Sequence, residues 1–280
     1  MMKSHSLFQS RISQVLAKKD GLLRKLLKWY DANKRDLPWR DSHDAYAIWV
    51  SEVMLQQTRV QTVIPFFRRF LRTFPTLQAL ADASLQELLQ AWAGLGYYTR
   101  VRCLQKAAQQ IIKKYGGRIP ETDSELLALP GIGQYTAGAI LSIAFSKPYP
   151  VVDGNVTRVL SRLFLLEDDS QTSKSRRTLW NLAGQLVPRS SPGNFNQALM
   201  ELGSTICSPR SPACLLCPLS QECLARREGL EEQLPRKKGR SESLESRQAV
   251  AVVGHRGRYL IVKRKGTRLL RDFWEFQDAN

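Results

Sequence analysis

Glu52 and Asp153 are the two carboxylates of this sequence whose surroundings could give them chemistry. Glu52 has Ile48, Trp49, Leu55 and Gln56 as helical neighbours three and four residues away, and three of these four are apolar. A carboxyl held among them is poorly solvated, so its pKa rises and it can donate a proton near neutral pH; on an exposed helix face it would be an ordinary acid. Asp153 precedes Gly154, Asn155 and a helical pattern at Val156, Val159, Leu160 and Leu163. That makes it a helix N-cap, a role in which its carboxylate can still face a cationic centre beside the helix entrance. One protonated and one ionised carboxyl meet the needs of glycosidic-bond cleavage: the acid protonates the leaving group and the anion stabilises an oxocarbenium-like sugar.

A second cluster is metal-ligating. Cys207, Cys214, Cys217 and Cys223 follow the spacing Cys-x6-Cys-x2-Cys-x5-Cys. Four thiolates on one short loop can wrap one centre, either zinc or an iron-sulfur cluster, and a single Cys-x-x-Cys pair favours the cluster. Such clustering argues against disulfides. Cys103 is left over and reads as a small buried apolar residue. His5, His43 and His255 are too scattered for a histidine metal site.

Between the carboxylates, Pro130, Gly131 and Gly133 interrupt an apolar run, and helical spacing resumes from Tyr135 to Phe145. The pattern reads as helix, tight hairpin, helix, with unpaired backbone N–H groups and a positive helix end suited to a phosphate. An ordinary interhelical turn has the same pattern. Leu55 to Arg59 ends the Glu52 helix with polar side chains able to reach bases. Gly94 to Arg100 sets tyrosines and a cation on a Gly-flexed loop, where they could fill the gap left by an extruded base or simply pack.

The elements that must position these groups are helical. Apolar residues recur at helical spacing in 46–57, 63–74, 85–92, 101–115, 156–166 and 195–206, punctuated by Pro65, Pro75, Gly94, Gly116, Pro120, Pro148, Pro150 and Pro192. An all-α globule over 22–226 is expected, after an N-terminal extension at 1–21. A charged, apolar-poor linker at 227–248 follows, then a short β tail at 249–280 whose runs Ala249–Val253 and Tyr259–Val262 flank a Gly254–Gly257 turn. Across 280 residues, 42 Lys+Arg against 25 Asp+Glu give a net charge of +17, which favours a polyanionic partner such as nucleic acid. No run approaches membrane-spanning length and no uninterrupted apolar core marks a secretory signal, so a cytoplasmic protein is expected; the basic, Ser-containing first residues leave organellar targeting open.

The motifs SEVMLQQT (51–58), GLGYY (94–98), LPGIGQYTAGAI (129–140), VDGNVTRV (152–159), FNQALMELG (195–203) and the four-cysteine loop, in this order, resemble the adenine DNA glycosylase (MutY) family. The cysteine spacing and hairpin are shared with the wider endonuclease III superfamily. The resemblance implies a two-lobed helix-hairpin-helix DNA glycosylase fold, with a 4Fe-4S cluster on Cys207, Cys214, Cys217 and Cys223 that shapes a DNA-binding loop. It implies a monomer acting on double-stranded DNA, excising adenine mispaired with 8-oxoguanine or guanine. Glu52 resembles the acid that protonates adenine and Asp153 the carboxylate that stabilises the sugar cation. Tyr135 matches a residue assisting at that centre, and Asn155 a neighbour that organises it. Gln57 and Tyr97 resemble residues that wedge the duplex, with Gly131 and Gly133 in the hairpin, while Trp49, Arg40 and Glu201 resemble adenine-pocket lining.

Relatives that also cleave the strand carry a lysine at position 135, which forms a Schiff base; Tyr135 cannot, so a monofunctional enzyme is expected. The competing readings are an endonuclease III-like glycosylase/lyase on oxidised pyrimidines and a non-catalytic iron-sulfur DNA-binding protein, which would need neither Glu52 nor Asp153. RQAVAVVGHRGRYLIVKRK and LLRDFWEF resemble only the opening strands of a Nudix-like domain that reads 8-oxoguanine. Weakened preference for 8-oxoguanine over guanine is therefore expected.

Overall fold

Capping residues set the helix starts. Asp44 accepts the Tyr46 and Ala47 N–H groups to open α3 (Ala45–Leu55), after α1 (Met2–Leu16) and α2 (Lys19–Asn33). Ser84 and Glu87 close a reciprocal capping box on α6 (Leu85–Trp92), which follows α4 (Val60–Thr73) and α5 (Leu77–Asp82). Gly116, left-handed at φ +59, ends α7 (Thr99–Tyr115). Then come α8 (Asp123–Leu127), α9 (Gln134–Ala139) with a π-helical turn at Ile140–Ala144, α10 (Gly154–Leu163), α11 (Ser173–Leu186), α12 (Pro192–Thr205) and α13 (Leu224–Arg227). The computed structural model describes residues 2–40, 42–236, 249–264 and 274–278. No helix among them is long and apolar enough to cross a membrane.

Two apolar cores divide the helical unit, which runs from Met1 to Lys237. One lies among α3–α9 and includes Val50, Met54, Phe67, Phe70, Leu88, Trp92, Leu104 and Ile111; Phe70 meets Phe74 and Trp92 edge-on. Fully burying side chains of this size contributes about 2–3 kcal/mol each. The other joins α2 to α10–α13 through Leu26, Tyr30, Leu160, Phe164, Leu182, Phe195 and Leu199. A small seam of Ile48, Ala139, Ile143 and Val151 lies apart from both, with Tyr135 and Met200 against it.

The unit is wider than 22–226. Val15 of α1, in the stretch expected to be an extension, is buried in the second core, and so is Leu234, in the stretch expected to be linker. The Ser170 N–H and hydroxyl both donate to the Arg236 carbonyl at 3.1 Å. The remaining linker residues, 237–248, lie outside the described residues. Pro65, expected to punctuate, sits inside α4, whose buried Val63, Phe67 and Phe70 anchor the helix on both sides of it.

The second unit, Lys238–Asn280, holds paired strands of two residues each. β1 (Val250–Ala251) pairs with β6 (Gln277–Asp278), β2 (Gly254–His255) with β3 (Arg258–Tyr259), and β4 (Val262–Lys263) with β5 (Trp274–Glu275), all antiparallel. The expected turn is narrower: Arg256 and Gly257 alone form it, both with positive φ as a two-residue hairpin requires. Residues 265–273, which include most of LLRDFWEF, lie outside the described residues.

Candidate active site

α3 is apolar almost all round, with nine of its eleven residues buried, so Glu52 is carried inside by its neighbours. It is 4% exposed. Tyr135, the second residue of α9, reaches across from the hairpin and donates its hydroxyl to Glu52 Oε2 at 2.5 Å. Burial pushes the Glu52 carboxyl up to about 7; the Tyr135 hydrogen bond opposes this, Asp153 adds to it, and Arg40 opposes it. Burial also lifts the Tyr135 phenol well above its ordinary value, helped by the charges of Glu52 and Asp153. Near neutral pH the pair is thus a carboxyl on the edge of protonation beside a neutral phenol.

Asp153 does cap its helix, accepting the Val156 N–H at Oδ1 (2.7 Å). Its Oδ2 accepts from Asn155 Nδ2 at 2.8 Å. Burial raises the Asp153 pKa, while these hydrogen bonds and the charge of Arg158 hold it down. Arg158 donates to Asn155 Oδ1 at 2.9 Å, to the Gly203 carbonyl at 2.6 Å and to the Cys207 carbonyl at 2.7 Å. A hydrogen-bonded path therefore joins Asp153 to the backbone of the first clustered cysteine. Gly203 lets α12 approach: a Cβ there would lie 2.6 Å from that of Asn155.

Glu52, Tyr135, Asp153 and Asn155 line one cleft of about 180 Å³, together with Arg40 and Glu201. Glu201, 1% exposed, is gripped by Arg35 (Nε to Oε1 2.7 Å, Nη2 to Oε2 2.9 Å) and by Arg40 (2.7 Å). Burial alone would raise its pKa, but the combined bonds from Arg35 and Arg40 hold it below the ordinary carboxylate value. Trp49 is not part of this lining. It points the other way on α3, into a separate cavity of about 200 Å³ beside Cys103 and Gly131. Trp39 lines the cleft instead, with Leu37, Arg35, Gln197 and Met200, none of which the sequence reading singled out for this role.

The four remaining predicted contacts sit on turns outside the cleft lining. Gly131 is left-handed at φ +77, and a Cβ on it would come within 2.6 Å of Cys103 Cβ, so the hairpin closes onto α7 only with glycine there. Gly133 faces open space, leaving room for a phosphate at the start of α9. Gln57 (φ +58) and Tyr97 (φ +47) are exposed residues held in left-handed backbone that side chains rarely adopt. Cys103 is half-buried rather than fully buried.

Cys207, Cys214, Cys217 and Cys223 are all half-buried and free of disulfides. Burial, helped by the charges of the other cysteines, pushes Cys217 up to about 12 and Cys223 up to about 11, which places the sulfurs in one electrostatic neighbourhood. Arg162, 2% exposed, donates to Cys207 Sγ at 3.3 Å. Among the described residues no three His, Cys, Asp or Glu side chains are spaced to hold a single metal ion. The all-sulfur donor set fits a polynuclear iron-sulfur centre, whose positive charge would bring the four thiols to thiolates.

Residues 50–185, which carry Glu52, Tyr135, Asp153 and Asn155, match the model of the HhH-GPD superfamily base excision DNA repair protein family. A structure of a thermostable thymine-DNA glycosylase superposes with TM-score 0.69 at 29% identity, covering 76% of this chain and 98% of that one. The human adenine DNA glycosylase is 52% identical over 218 residues, 75% of this chain and 40% of that protein; the chain thus spans about two fifths of that relative's length. The adenine DNA glycosylase of Buchnera aphidicola subsp. Schizaphis graminum is 36% identical over 252 residues, 90% of this chain and 73% of that protein. Likeness on that scale reaches well past the matched domain, over Glu201 and the four cysteines as well as the carboxylate cleft, and the chain belongs to the adenine DNA glycosylase family.

Proposed function

We propose that this chain, as a monomer, excises adenine mispaired with 8-oxoguanine or guanine in duplex DNA, and does so without cutting the strand. The observation that carries the reading is the buried Glu52, with its pKa near 7, bonded to Tyr135 in the cleft that also holds Asp153. An adenine extruded into that cleft takes the Glu52 proton, which makes the base a better leaving group. As the bond to the sugar breaks, its electron pair leaves with the base, and the positive sugar carbon is stabilised by the Asp153 carboxylate. Water adds its oxygen to that carbon and yields a proton to a carboxylate, restoring the acid. Tyr135 has no amine, so no Schiff base forms and strand cleavage does not follow.

The +17 charge, the open approach at Gly133, and the exposed Gln57 and Tyr97 support DNA as the partner. Cys207, Cys214, Cys217 and Cys223 would hold a 4Fe-4S cluster, which supplies a structural cross-link to the loop. Arg158 and Arg162 anchor that loop to α10 through the Cys207 carbonyl and sulfur.

A single-turnover assay on duplexes bearing adenine opposite 8-oxoguanine, read with and without alkali, tests the proposal. Breaks only after alkali are expected. Breaks without alkali would favour a glycosylase/lyase, and intact DNA from cluster-loaded protein would overturn the enzymatic reading.

A further inference from the structure

Arg100, at the second position of α7, makes more polar contacts than any side chain of the cleft. Its Nη1 donates to the carbonyls of Val53 and Met54, each at 3.0 Å, and to that of Gln56. The first two are last-turn carbonyls of α3, which the helix itself leaves without partners, and Gln56 is its C-cap. Its Nη2 donates to Thr58 Oγ1 (3.3 Å) and to the carbonyls of Leu95 and Gly96 (3.2 Å each). The guanidinium also lies 5.5 Å from the Trp92 ring centre and 5.4 Å from that of Tyr97. One cation thus bridges the two loops. Each loop carries one exposed residue in left-handed backbone, Gln57 and Tyr97.

We infer that Arg100 is the positioning residue that locks Gln57 and Tyr97 into one rigid wedge, and so sets how readily the target base leaves the stack. The inference rests on the reading of those two residues as duplex contacts. A left-handed conformation in a non-glycine residue persists only where its surroundings hold it, and here the shared anchor is the guanidinium. Lysine cannot replace it: an ammonium is a point charge with three donors and no planar fork to span both sets of carbonyls.

The test uses the cluster-loaded protein and Arg100→Lys. With 2-aminopurine at the target position, wild type is expected to raise fluorescence as the base unstacks, and Arg100→Lys to reduce that response about tenfold, the scale of one or two lost charged hydrogen bonds. Excision from a fully stacked duplex should fall by a similar factor. It should recover on a substrate whose adenine is already unstacked, and a misfolded variant would not recover. In a Gln57→Ala, Tyr97→Ala background the same Arg100→Lys change should have almost no further effect. An equal loss in both backgrounds, or no recovery on the unstacked substrate by a variant that keeps the wild-type denaturation midpoint, would overturn the inference. Failure of wild type to excise adenine would instead overturn the functional reading, and the fluorescence comparison would still decide on Arg100.

Discussion

Two glutamates are buried on opposite walls of the same cleft and behave as opposites. Glu52 on α3 and Glu201 on α12 are 4% and 1% exposed, so both bear a desolvation cost for a charge. Glu201 has two guanidinium partners and sits below the ordinary carboxylate pKa. Glu52 has a neutral phenol and rises to about 7. Burial alone therefore does not carry a carboxyl's pKa up to neutrality; burial without a bonded cation does. The α3 wall carries the proton, and the α12 wall carries a fixed anion that holds Arg35 and Arg40 in place.

The same substitution on the two walls should break the symmetry most sharply. Glu52→Gln is expected to lower single-turnover excision by about 10²- to 10⁴-fold, the usual range for a lost general acid. It should also stabilise the protein at high pH. Because the folded carboxyl binds its proton more tightly than the unfolded one, its favourable contribution is present below about pH 4.5 and is lost as pH rises to about 7. Urea denaturation at pH 8 should then show Glu52→Gln more stable than wild type by up to about 3 kcal/mol, with little difference at pH 4.5. Equal stability at both values would mean that Glu52 ionises as freely as an exposed acid.

Glu201→Gln should do the reverse. Removing the anion strands two arginines, and stability at pH 8 should fall by about 2 kcal/mol; the loss stays below that of a fully enclosed pair because the Arg35 side chain is 37% exposed. An unchanged denaturation midpoint would dissolve the contrast between the walls.

Smaller changes sharpen it. Tyr135→Phe deletes the hydrogen bond that restrains the Glu52 pKa, so excision should fall about tenfold while the pH at which activity is half lost moves upward. A downward move would mean that Tyr135 stabilises the protonated carboxyl instead. The smallest shift of the pH profile is expected from Arg40→Met. That change removes a cation that lowers the Glu52 pKa from a distance, so the pH profile should again shift upward, by less than with Tyr135→Phe.

Much of the helical frame could be read from residue spacing, since apolar periodicity and caps act within a few residues of each other. Leu85–Trp92 is bounded as expected, and Asp153 is the N-cap that its sequence neighbours announce. Pro65 misled because the cost of a proline inside a helix is offset when buried residues on both sides, Val63, Phe67 and Phe70, hold the helix together. Leu234 misled because it sits in a stretch dominated by charged residues, and one buried leucine leaves no periodic signal.

The residues alone determined the helical architecture and the cysteine set, because each rests on chemistry within a turn or a short loop; for Glu52 the apolar neighbours left both a buried and an exposed carboxyl open, and packing buries it. Which face of α3 meets the cleft was a tertiary decision. With nine of eleven residues buried, that helix has no polar side to orient it, and so Trp49 and Trp39 could be told apart only by the packing of the other helices. The pairing of Glu201 with Arg35, across 166 residues, and the six acceptors of Arg100, five of them backbone carbonyls, are of the same kind. A carbonyl is present in every residue, and only the folded chain decides which ones a guanidinium can reach.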